Sequence, residues 1–247
     1  MEKENIIFGV RPVIEAINAG KAIDKLYIQR DIKGSGLTEL RNAVKKGKIV
    51  FSHVPIQKIN KHTSGNHQGV LAFISPIELT DIELLIPTLF EKGKIPFILL
   101  LDRLTDVRNF GAIARTAECA GIHAIVVPKR ESAQINADAI KTSAGALHTI
   151  PVCKVDNLTD TAMFLQASGI RIVSCTEKTE NSIYDVDYTS PTAIVMGSEE
   201  FGVSNQILRL SDDKAKIPMA GKISSLNVSV AAGIILYESV KQRQLIK

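Results

Sequence analysis

The sequence predicts an α/β protein with two domains. Apolar segments typical of strands alternate with segments of helical periodicity along all 247 residues. One segment, Phe97–Leu101, is almost purely apolar, which is typical of a strand buried on both faces in a parallel sheet. Residues 1–75 contain 12 Lys or Arg against 6 Asp or Glu, whereas residues 76–247 contain 18 against 20. We therefore predict a basic domain over residues 1–75, a linker over 76–95 and a second domain over 96–247.

The first domain shows a βαβαβ pattern, which is enough for a small α/β sandwich. Arg11-Pro12 open the first helix, because proline fits the first helical turn, where its missing N–H is not needed. Apolar residues three and four apart predict a second helix over Leu37–Lys46, and a short third one begins near Pro55. The predicted strands are Asn5–Gly9, Lys25–Gln29, Ile49–Phe51 and Gly69–Ile74.

The linker mixes acidic residues with leucines and predicts a short helix at the junction. In the second domain a helix follows Phe97–Leu101 and ends near Gly121. The other predicted helices are Asn136–Ser143, Leu158–Ser168 and Leu226–Gln242. The remaining strands are His123–Val127, Ile150–Val155, Ile170–Ser174, Ala193–Gly197 and Lys214–Met219. We expect Leu226, Val230, Ile234 and Tyr237 to form the apolar stripe of the last helix.

Several classes of protein are excluded by the absence of their signals. No apolar run reaches the ~18 residues that a membrane span needs, and the charged start does not resemble a signal peptide. Cys119, Cys153 and Cys175 are far apart, which predicts three buried thiols in a reducing cytoplasm. There is no P-loop, no GxGxxG after a strand, no GxSxG and no zinc-type histidine spacing, so a metal is not expected.

Three segments share one design, in which an apolar strand runs into a loop of Gly, Asn, Ser and acidic residues and then into a helix. They are residues 102–115 (DRLTDVRNFGAIAR), 196–204 (MGSEEFGVS) and 217–231 (IPMAGKISSLNVSVA). Loops that follow the ends of parallel strands meet at one edge of the sheet. The three segments therefore predict a single ligand site.

The residue types within these segments admit simple structural explanations as well as functional ones. Asn109 suits a helix N-cap, as does one serine of Ser224-Ser225. Arg115 is the one large donor among small residues, although it could be a surface arginine paired with Glu118. Gly197 has no side chain, so a cofactor could lie against the backbone there.

In this order the three segments resemble the three signature motifs of the SpoU-type RNA ribose 2′-O-methyltransferases. The resemblance covers the whole chain, with one departure at Val107, where the first motif usually has proline. It implies a C-terminal parallel-sheet domain with a trefoil knot, which binds S-adenosylmethionine and releases S-adenosylhomocysteine. It also implies a cytoplasmic homodimer that binds RNA and needs neither a metal nor a membrane.

The resemblance also assigns roles to individual residues. Arg115 matches the catalytic arginine; since arginine is nearly impossible to deprotonate, we expect it to hold the 2′-oxygen and the adjacent phosphate. Asn109, Glu199 and Ser225 would orient Arg115 or the ribose, and Asn227 would shape the site. Cofactor contacts through the main chain are implied for Gly197, Ile217 and Leu226. The neighbouring residues Met196, Pro218, Met219 and Asn227 complete the expected cofactor site.

Two segments of the first domain indicate the branch of the family. Phe8–Ala16 and His67–Val70 resemble segments of the RlmB-like ribosomal RNA branch, whose N-terminal RNA-binding domain is like a small ribosomal protein. The implied substrate is a guanosine of 23S rRNA. A transfer RNA or another rRNA site is the alternative. A catalytically silent RNA-binding protein of the same fold would be expected to have lost Arg115, Glu199 or Asn227, and all three are present.

Overall fold

The computed structural model describes residues 6–34 and 36–244. The chain forms two compact units, one comprising Met1–Glu78 with Gln134–Ala137 and the other Leu79–Ala133 with Asp138–Lys247.

The first unit is built on a four-stranded mixed sheet. Its strands are β1 (Ile6–Phe8), β2 (Ile23–Gln29), β3 (Phe51–Val54) and β4 (Val70–Ile74), in the order β1-β4-β2-β3. β4 runs antiparallel to β1 and β2, and β3 lies parallel to β2 at the edge. The helices are α1 (Val10–Asn18), α2 (Leu37–Lys46) and α3 (Ile56–Asn60).

Buried side chains line both faces of this sheet. On one face, Leu26 and Val70 pack with residues of α1 and α2, such as Val13 and Leu40. On the other face a smaller cluster contains Ile59 of α3 with Tyr27, Val54, Leu71 and Phe73. The predicted helix over Leu37–Lys46 is confirmed. Of the predicted strand Asn5–Gly9, Asn5 lies outside the described residues.

The second unit contains a six-stranded parallel sheet. Its strands are β5 (Phe97–Asp102), β6 (Ala124–Pro128), β7 (Val152–Val155), β8 (Arg171–Cys175), β9 (Thr192–Gly197) and β10 (Asp213–Ala215), in the order β10-β8-β9-β5-β6-β7. The helices along this part of the chain are α4 (Ile82–Glu91), α5 (Val107–Cys119), α6 (Ala137–Thr142), α7 (Leu158–Ala167), α8 (Asn205–Leu210) and α9 (Val228–Gln244). A short 3₁₀ helix covers Ala146–His148. The predicted α/β class and parallel sheet are confirmed.

The central strands β5 and β9 are buried along their whole length, as the apolar run at Phe97 predicted. Their side chains pack with those of α4 and α7 in one core cluster. Helix α4 falls within the segment predicted to be a linker, yet Ile82, Ile86 and Leu89 belong to this core. Leu79 adds a parallel bridge to Val152 on the edge strand β7.

Three sequence predictions about this unit are wrong in detail. Strand β10 ends at Ala215 instead of Met219, and Pro218, which lacks an N–H, lies in the irregular chain beyond it. Helix α8 was missed. Cys153 is buried, but Cys119 is exposed at the end of α5, and Cys175 is intermediate.

The expected apolar stripe of α9 is also wrong. Leu226, Val230 and Tyr237 are 37%, 51% and 52% exposed, and Ile234 is half-buried. The helix instead buries its other side, where the small residues Ala232 and Ser239 accompany Val228, Ile235 and Leu236. Helix α9 packs against α5, and its buried face mixes large apolar with small side chains. No helix in the described part of the chain is long and apolar enough to cross a membrane.

Candidate active site

The first two loops leave the sheet side by side. Strands β5 and β9 are adjacent and parallel, with Leu101 opposite Met196 and Asp102 opposite Gly197. Their carboxyl ends therefore lie at one edge of the sheet, where ligand sites of open α/β sheets form. The third segment leaves from β10, which is parallel to its neighbour β8 and so points to the same edge.

Gly197 allows the chain to pass close to the end of β9. A Cβ built there would lie 2.0 Å from the carbonyl carbon of Gly202 and 2.2 Å from the nitrogen of Val203. The side where a side chain would project is thus filled by the protein's own backbone. Glycine is therefore required at residue 197 for packing against residues 202 and 203. From the sequence we predicted another reason for this glycine, namely that a cofactor could lie against the backbone there.

The loop after β9 is tied to the end of β5 by Asp102. The Asp102 carboxylate is buried, and its Oδ2 accepts a 2.6 Å hydrogen bond from the main-chain N–H of Ser204. Within the loop, Gly202 N–H donates to the Ser198 carbonyl at 2.9 Å and Phe201 N–H donates to Ser198 Oγ at 3.1 Å. The loop is therefore fixed at both ends. Sequence reasoning missed Asp102, although a charged residue ending a buried strand was a usable signal.

Helix α5 begins with Asp106 as its N-cap, not Asn109 as predicted. Asp106 Oδ1 accepts a 2.7 Å hydrogen bond from the Asn109 N–H. The acid three residues before Asn109 is the usual capping signal. Because Asp106 caps the helix, the side chain of Asn109 is left for other contacts.

Asn109, Glu199 and Asn227 come together as one hydrogen-bonded group, which we call the Asn-Glu-Asn cluster. Oε1 of Glu199 accepts from Nδ2 of Asn227 at 2.7 Å and from Nδ2 of Asn109 at 3.2 Å. Asn227 Nδ2 also donates to Oδ1 of Asn109 at 3.0 Å. Each of the three predicted segments contributes one member, so the three segments meet at one place, as their positions after parallel strands predicted.

Asn227 and Glu199 also fix the start of the last helix. Asn227 Oδ1 accepts from the N–H of Ser229 at 2.9 Å and from its hydroxyl at 2.5 Å. The N–H of Val228 donates to Oε1 of Glu199 at 3.3 Å. Asn227, and neither of the two preceding serines, therefore caps α9, which corrects the predicted serine cap.

Arg115 lies outside the cluster. It is exposed on α5, six residues beyond Asn109, which places it about 9 Å further along the helix axis. It forms no hydrogen bond or ion pair with any residue that the structure describes, so the alternative pairing with Glu118 is not present. Its guanidinium donors are available to a ligand.

Residues 217–226 form an irregular segment whose main-chain N–H and carbonyl groups are not hydrogen-bonded to any part of the chain that the structure describes. Ile217 is half-buried, while Pro218, Met219, Ser225 and Leu226 are exposed, and Met196 is buried in β9. The expected cofactor residues thus combine unbonded main-chain groups with apolar side chains. Ser225 makes no hydrogen bond to the Asn-Glu-Asn cluster among the described residues.

No group of three or more His, Cys, Asp or Glu placed to hold a metal ion occurs among residues 6–34 and 36–244. The Asn-Glu-Asn cluster and the exposed segment 217–226 lie after the carboxyl ends of parallel strands, and Arg115 follows Asn109 by about 9 Å along α5.

The fold and the geometry define an α/β protein in which three segments that join strands to helices meet at one edge of a parallel sheet. Residues 96–237 match the SpoU rRNA Methylase family, and residues 6–80 match a domain described as RNA 2′-O ribose methyltransferase substrate binding. The chain belongs to the SpoU methylase family, as its three segments predicted.

Individual relatives agree with this membership. The 23S rRNA (guanosine-2′-O-)-methyltransferase RlmB of Photobacterium profundum is 37% identical over 98% of this chain and 99% of its own. YacO of Bacillus subtilis, assigned to the TrmH family of tRNA/rRNA methyltransferases, is 35% identical over 98% and 97%. The crystal structure of the SpoU methyltransferase AviRb from Streptomyces viridochromogenes, in complex with AdoMet, superposes with a TM-score of 0.62 at 27% identity, covering 97% of this chain and 90% of that one.

Proposed function

We propose that this protein transfers a methyl group from S-adenosylmethionine to the ribose 2′-oxygen of a guanosine in 23S rRNA. The main support for this activity is the Asn-Glu-Asn cluster, in which all three family segments meet at one edge of the sheet. The RNA class is supported by the full-length similarity to RlmB of P. profundum. The TrmH relatives make a transfer RNA the alternative substrate.

The residues present fit S-adenosylmethionine. The unbonded main-chain groups of residues 217–226 offer donors and acceptors for a heterocyclic base. Ile217, Met219 and Leu226 offer apolar contacts to the same ligand, and small-molecule sites combine these two features. We assign the cofactor to this segment together with Met196, Gly197, Pro218 and Asn227. When bound, the cofactor supplies an electrophilic methyl group on a sulfonium.

Arg115 is the residue we assign to the 2′-oxygen. Its guanidinium carries several donors in a fixed plane, is free of protein partners among the described residues and stays charged, which suits it to a ribose oxygen and the phosphate beside it. As the 2′-oxygen loses its proton, this fixed positive charge stabilises the developing negative charge. The adjacent phosphate would take the proton, because arginine is not a base at neutral pH.

The Asn-Glu-Asn cluster is assigned a positioning role. Glu199 accepts from both amides and from the N–H of Val228, which fixes the starts of α5 and α9 relative to the loop after β9. Reacting atoms must be held in line for methyl transfer, and small misplacements are costly. Ser225, which precedes α9 in the same segment, is assigned the same role of orienting Arg115 or the ribose.

The first unit is assigned to RNA binding. It corresponds to the match with a substrate-binding domain, and residues 1–75 carry 12 basic against 6 acidic side chains. Basic surfaces supply much of the affinity for a phosphate backbone. The likeness of this unit to a small ribosomal protein, the domain boundaries at residues 75 and 96, and a cytoplasmic location are parts of the same proposal.

A trefoil knot and a homodimer complete the proposal. The exposed side of α9 presents Val230 and Tyr237, and just before the helix Leu226 is 37% and Ile223 77% exposed. Such an apolar strip is suited to a second copy of the chain. Light scattering on the purified protein would show the mass of two chains, and a monomeric mass would refute the dimer.

The function is tested by methyl transfer from labelled S-adenosylmethionine to unmodified 23S rRNA, 16S rRNA and bulk tRNA, followed by nucleoside mass spectrometry. A 2′-O-methylguanosine signal on 23S rRNA alone is expected. A signal on tRNA alone would keep the enzyme class and overturn the substrate. Failure to bind S-adenosylmethionine, with no transfer to any of the three RNAs, would favour the silent RNA-binding protein. Cofactor binding with no transfer would point to a ribosome-assembly particle as the substrate or to a missing partner.

A further inference from the structure

Arg103 lies directly after strand β5 and reaches across to the loop that carries Glu199. Its backbone has a φ of 58°, in the left-handed region that non-glycine residues seldom occupy. Its Nη2 donates to the Gly202 carbonyl at 3.3 Å, and its guanidinium carbon lies 5.6 Å from the centroid of the Phe201 ring. The distance is within the range of a cation–π interaction.

The Phe201 ring is 59% exposed although one side of it is approached by Arg103. The main chain beneath it is fixed, since Phe201 N–H donates to Ser198 Oγ and Gly202 N–H donates to the Ser198 carbonyl. The aromatic ring is thus exposed on a loop whose main chain is hydrogen-bonded at this point. Phe201 lies two positions beyond Glu199 in the chain, which limits their Cα atoms to about 7 Å apart.

The Arg103 guanidinium has hydrogen-bonding capacity left over. Nε is buried and forms an ion pair with Oδ1 of Asp102 at 3.6 Å, so it is not open to a ligand; the free donors are those of Nη1 and the remaining N–H of Nη2. Apart from the bond to Gly202, no hydrogen bond from Arg103 to another described residue is present. Arg103 and Phe201 together therefore offer a positive charge, free donors and an exposed aromatic ring beside the candidate active site.

We propose that Phe201 stacks on a nucleobase of the substrate RNA, and that Arg103 supports the ring and binds the neighbouring phosphate. The occupant is a nucleotide because a flat ring with a cation beside it matches a base joined to a phosphate. The site is also continuous with the Glu199 loop, where the reacting ribose would lie. This inference rests on the proposed function, because it places the RNA at the same loop.

Kinetics of methyl transfer to unmodified 23S rRNA provide the first test. Phe201→Ala should raise the KM for RNA roughly 10-fold while changing kcat and cofactor affinity little, since stacking on one base is worth a factor of this order. Phe201→Trp should keep a KM for RNA close to that of the wild type, because tryptophan can also stack on a base. Phe90→Ala is the matched control, because Phe90 is also an exposed phenylalanine (41%) but lies on α4. An unchanged KM in Phe201→Ala would overturn the proposal.

Fluorescence provides a test that does not depend on turnover. The chain contains no tryptophan, so Phe201→Trp introduces a single reporter. We expect 23S rRNA to quench it, polyphosphate to leave it bright, and Phe90→Trp to be unaffected by either. Equal quenching of the two reporters, or none at residue 201, would refute stacking.

The two tests separate this inference from the function on which it rests. If the wild-type protein methylates no RNA yet the fluorescence of Phe201→Trp is quenched by RNA, the proposed reaction fails and the stacking site stands. If the wild type methylates 23S rRNA and Phe201→Ala instead changes the oligomeric mass with an unaltered KM, Phe201 is a subunit contact and the inference fails.

Discussion

The side-chain amide of Asn227 donates a 2.7 Å hydrogen bond to Oε1 of Glu199, and that same oxygen also accepts from Asn109 and from the N–H of Val228. One carboxylate oxygen therefore joins the loop after β9 to the first turns of two helices. Charge-assisted hydrogen bonds of this kind are stronger than neutral ones. Their loss should affect the geometry of the site more than the fold, because the fold has a separate core.

Glu199→Gln should lower kcat for methyl transfer roughly 10- to 100-fold. The amide keeps an acceptor oxygen but removes the charge that strengthens three hydrogen bonds. The unfolding midpoint should change little, since residue 199 is exposed. Glu200→Gln is the matched control: the neighbouring carboxylate is exposed, forms no hydrogen bond with any described residue, and should tolerate the change. Equal activity in the two variants would contradict the role of Glu199.

Arg115→Ala should abolish transfer, with kcat reduced at least about 100-fold, a loss typical of removing one group that stabilises charge in a transition state. Thermal stability and cofactor affinity should remain close to wild type, because Arg115 is exposed and makes no polar contact within the described residues. Calorimetry with S-adenosylmethionine and a thermal melt check these two controls. Arg209→Ala, which removes an exposed arginine from α8, should leave the rate unchanged.

Gly197→Ala should destabilise the protein by more than about 3 kcal/mol or prevent folding, because overpacking against backbone cannot be relieved by a side-chain rotation. The added Cβ would lie 2.0 Å from the Gly202 carbonyl carbon. Denaturant unfolding measures the loss. Gly221→Ala is the control, since nothing lies within 4 Å of a Cβ there. A Gly197→Ala protein of normal stability would show that the loop after β9 is not packed as described.

The site residues that sequence reasoning found are those fixed by local pattern. Asn109, Glu199 and Asn227 each lie in a segment that joins a strand to a helix, and parallel strands bring such segments to one edge. The buried face of α9 could not be predicted this way, because apolar residues lie on both sides of the helix: Ile235 and Leu236 are buried, whereas Val230 and Tyr237 are exposed. The cap of α5 was misassigned for a different reason: Asp106 and Asn109 are both good caps, and the signal that Asp106 precedes Asn109 by three residues was not used.

Arg243 is a residue that no local pattern singled out, and it joins distant parts of the second unit. Its guanidinium donates to the carbonyls of Tyr188, Ile95, Pro96 and Ser190 and lies 4.2 Å from the centroid of the Phe97 ring. Burial lowers the pKa of Arg243 to about 10, so it remains charged at neutral pH. The predicted last helix ended at Gln242, one residue short of it, whereas α9 extends to Gln244.

Arg243→Met should destabilise the protein by about 2–4 kcal/mol, since several carbonyls lose a charged donor while the apolar stem is kept. Arg243→Lys should recover only part of the lost stability. An ammonium group has three donors and lacks the planar arrangement with which the guanidinium contacts four carbonyls. Denaturant unfolding of the three proteins gives the order expected: wild type, Lys, Met. If all three proteins had the same free energy of unfolding, hydrogen bonds from water to these carbonyls would be as stabilising as those from Arg243.

His123 should make the stability of the protein depend on pH. Burial, and to a smaller extent the charges of Arg243 and Lys94, lower its pKa below the ordinary value of 6.5. Its Nδ1 accepts a 3.0 Å hydrogen bond from the N–H of Phe97, which requires that nitrogen to be unprotonated. The folded protein therefore binds fewer protons than the unfolded chain just below pH 6.5, and the free energy of unfolding falls as the pH is lowered through this range.

His123→Asn provides the comparison, because the amide oxygen can still accept from Phe97 but does not titrate. We expect the wild-type free energy of unfolding to decline more steeply than that of the variant between about pH 7 and the lowered pKa of His123, and the two slopes to agree above about pH 7. Urea unfolding at a series of pH values measures both slopes. Parallel curves throughout would assign the acid sensitivity to other groups, whereas a steeper decline in the variant would reverse the sign of the His123 contribution.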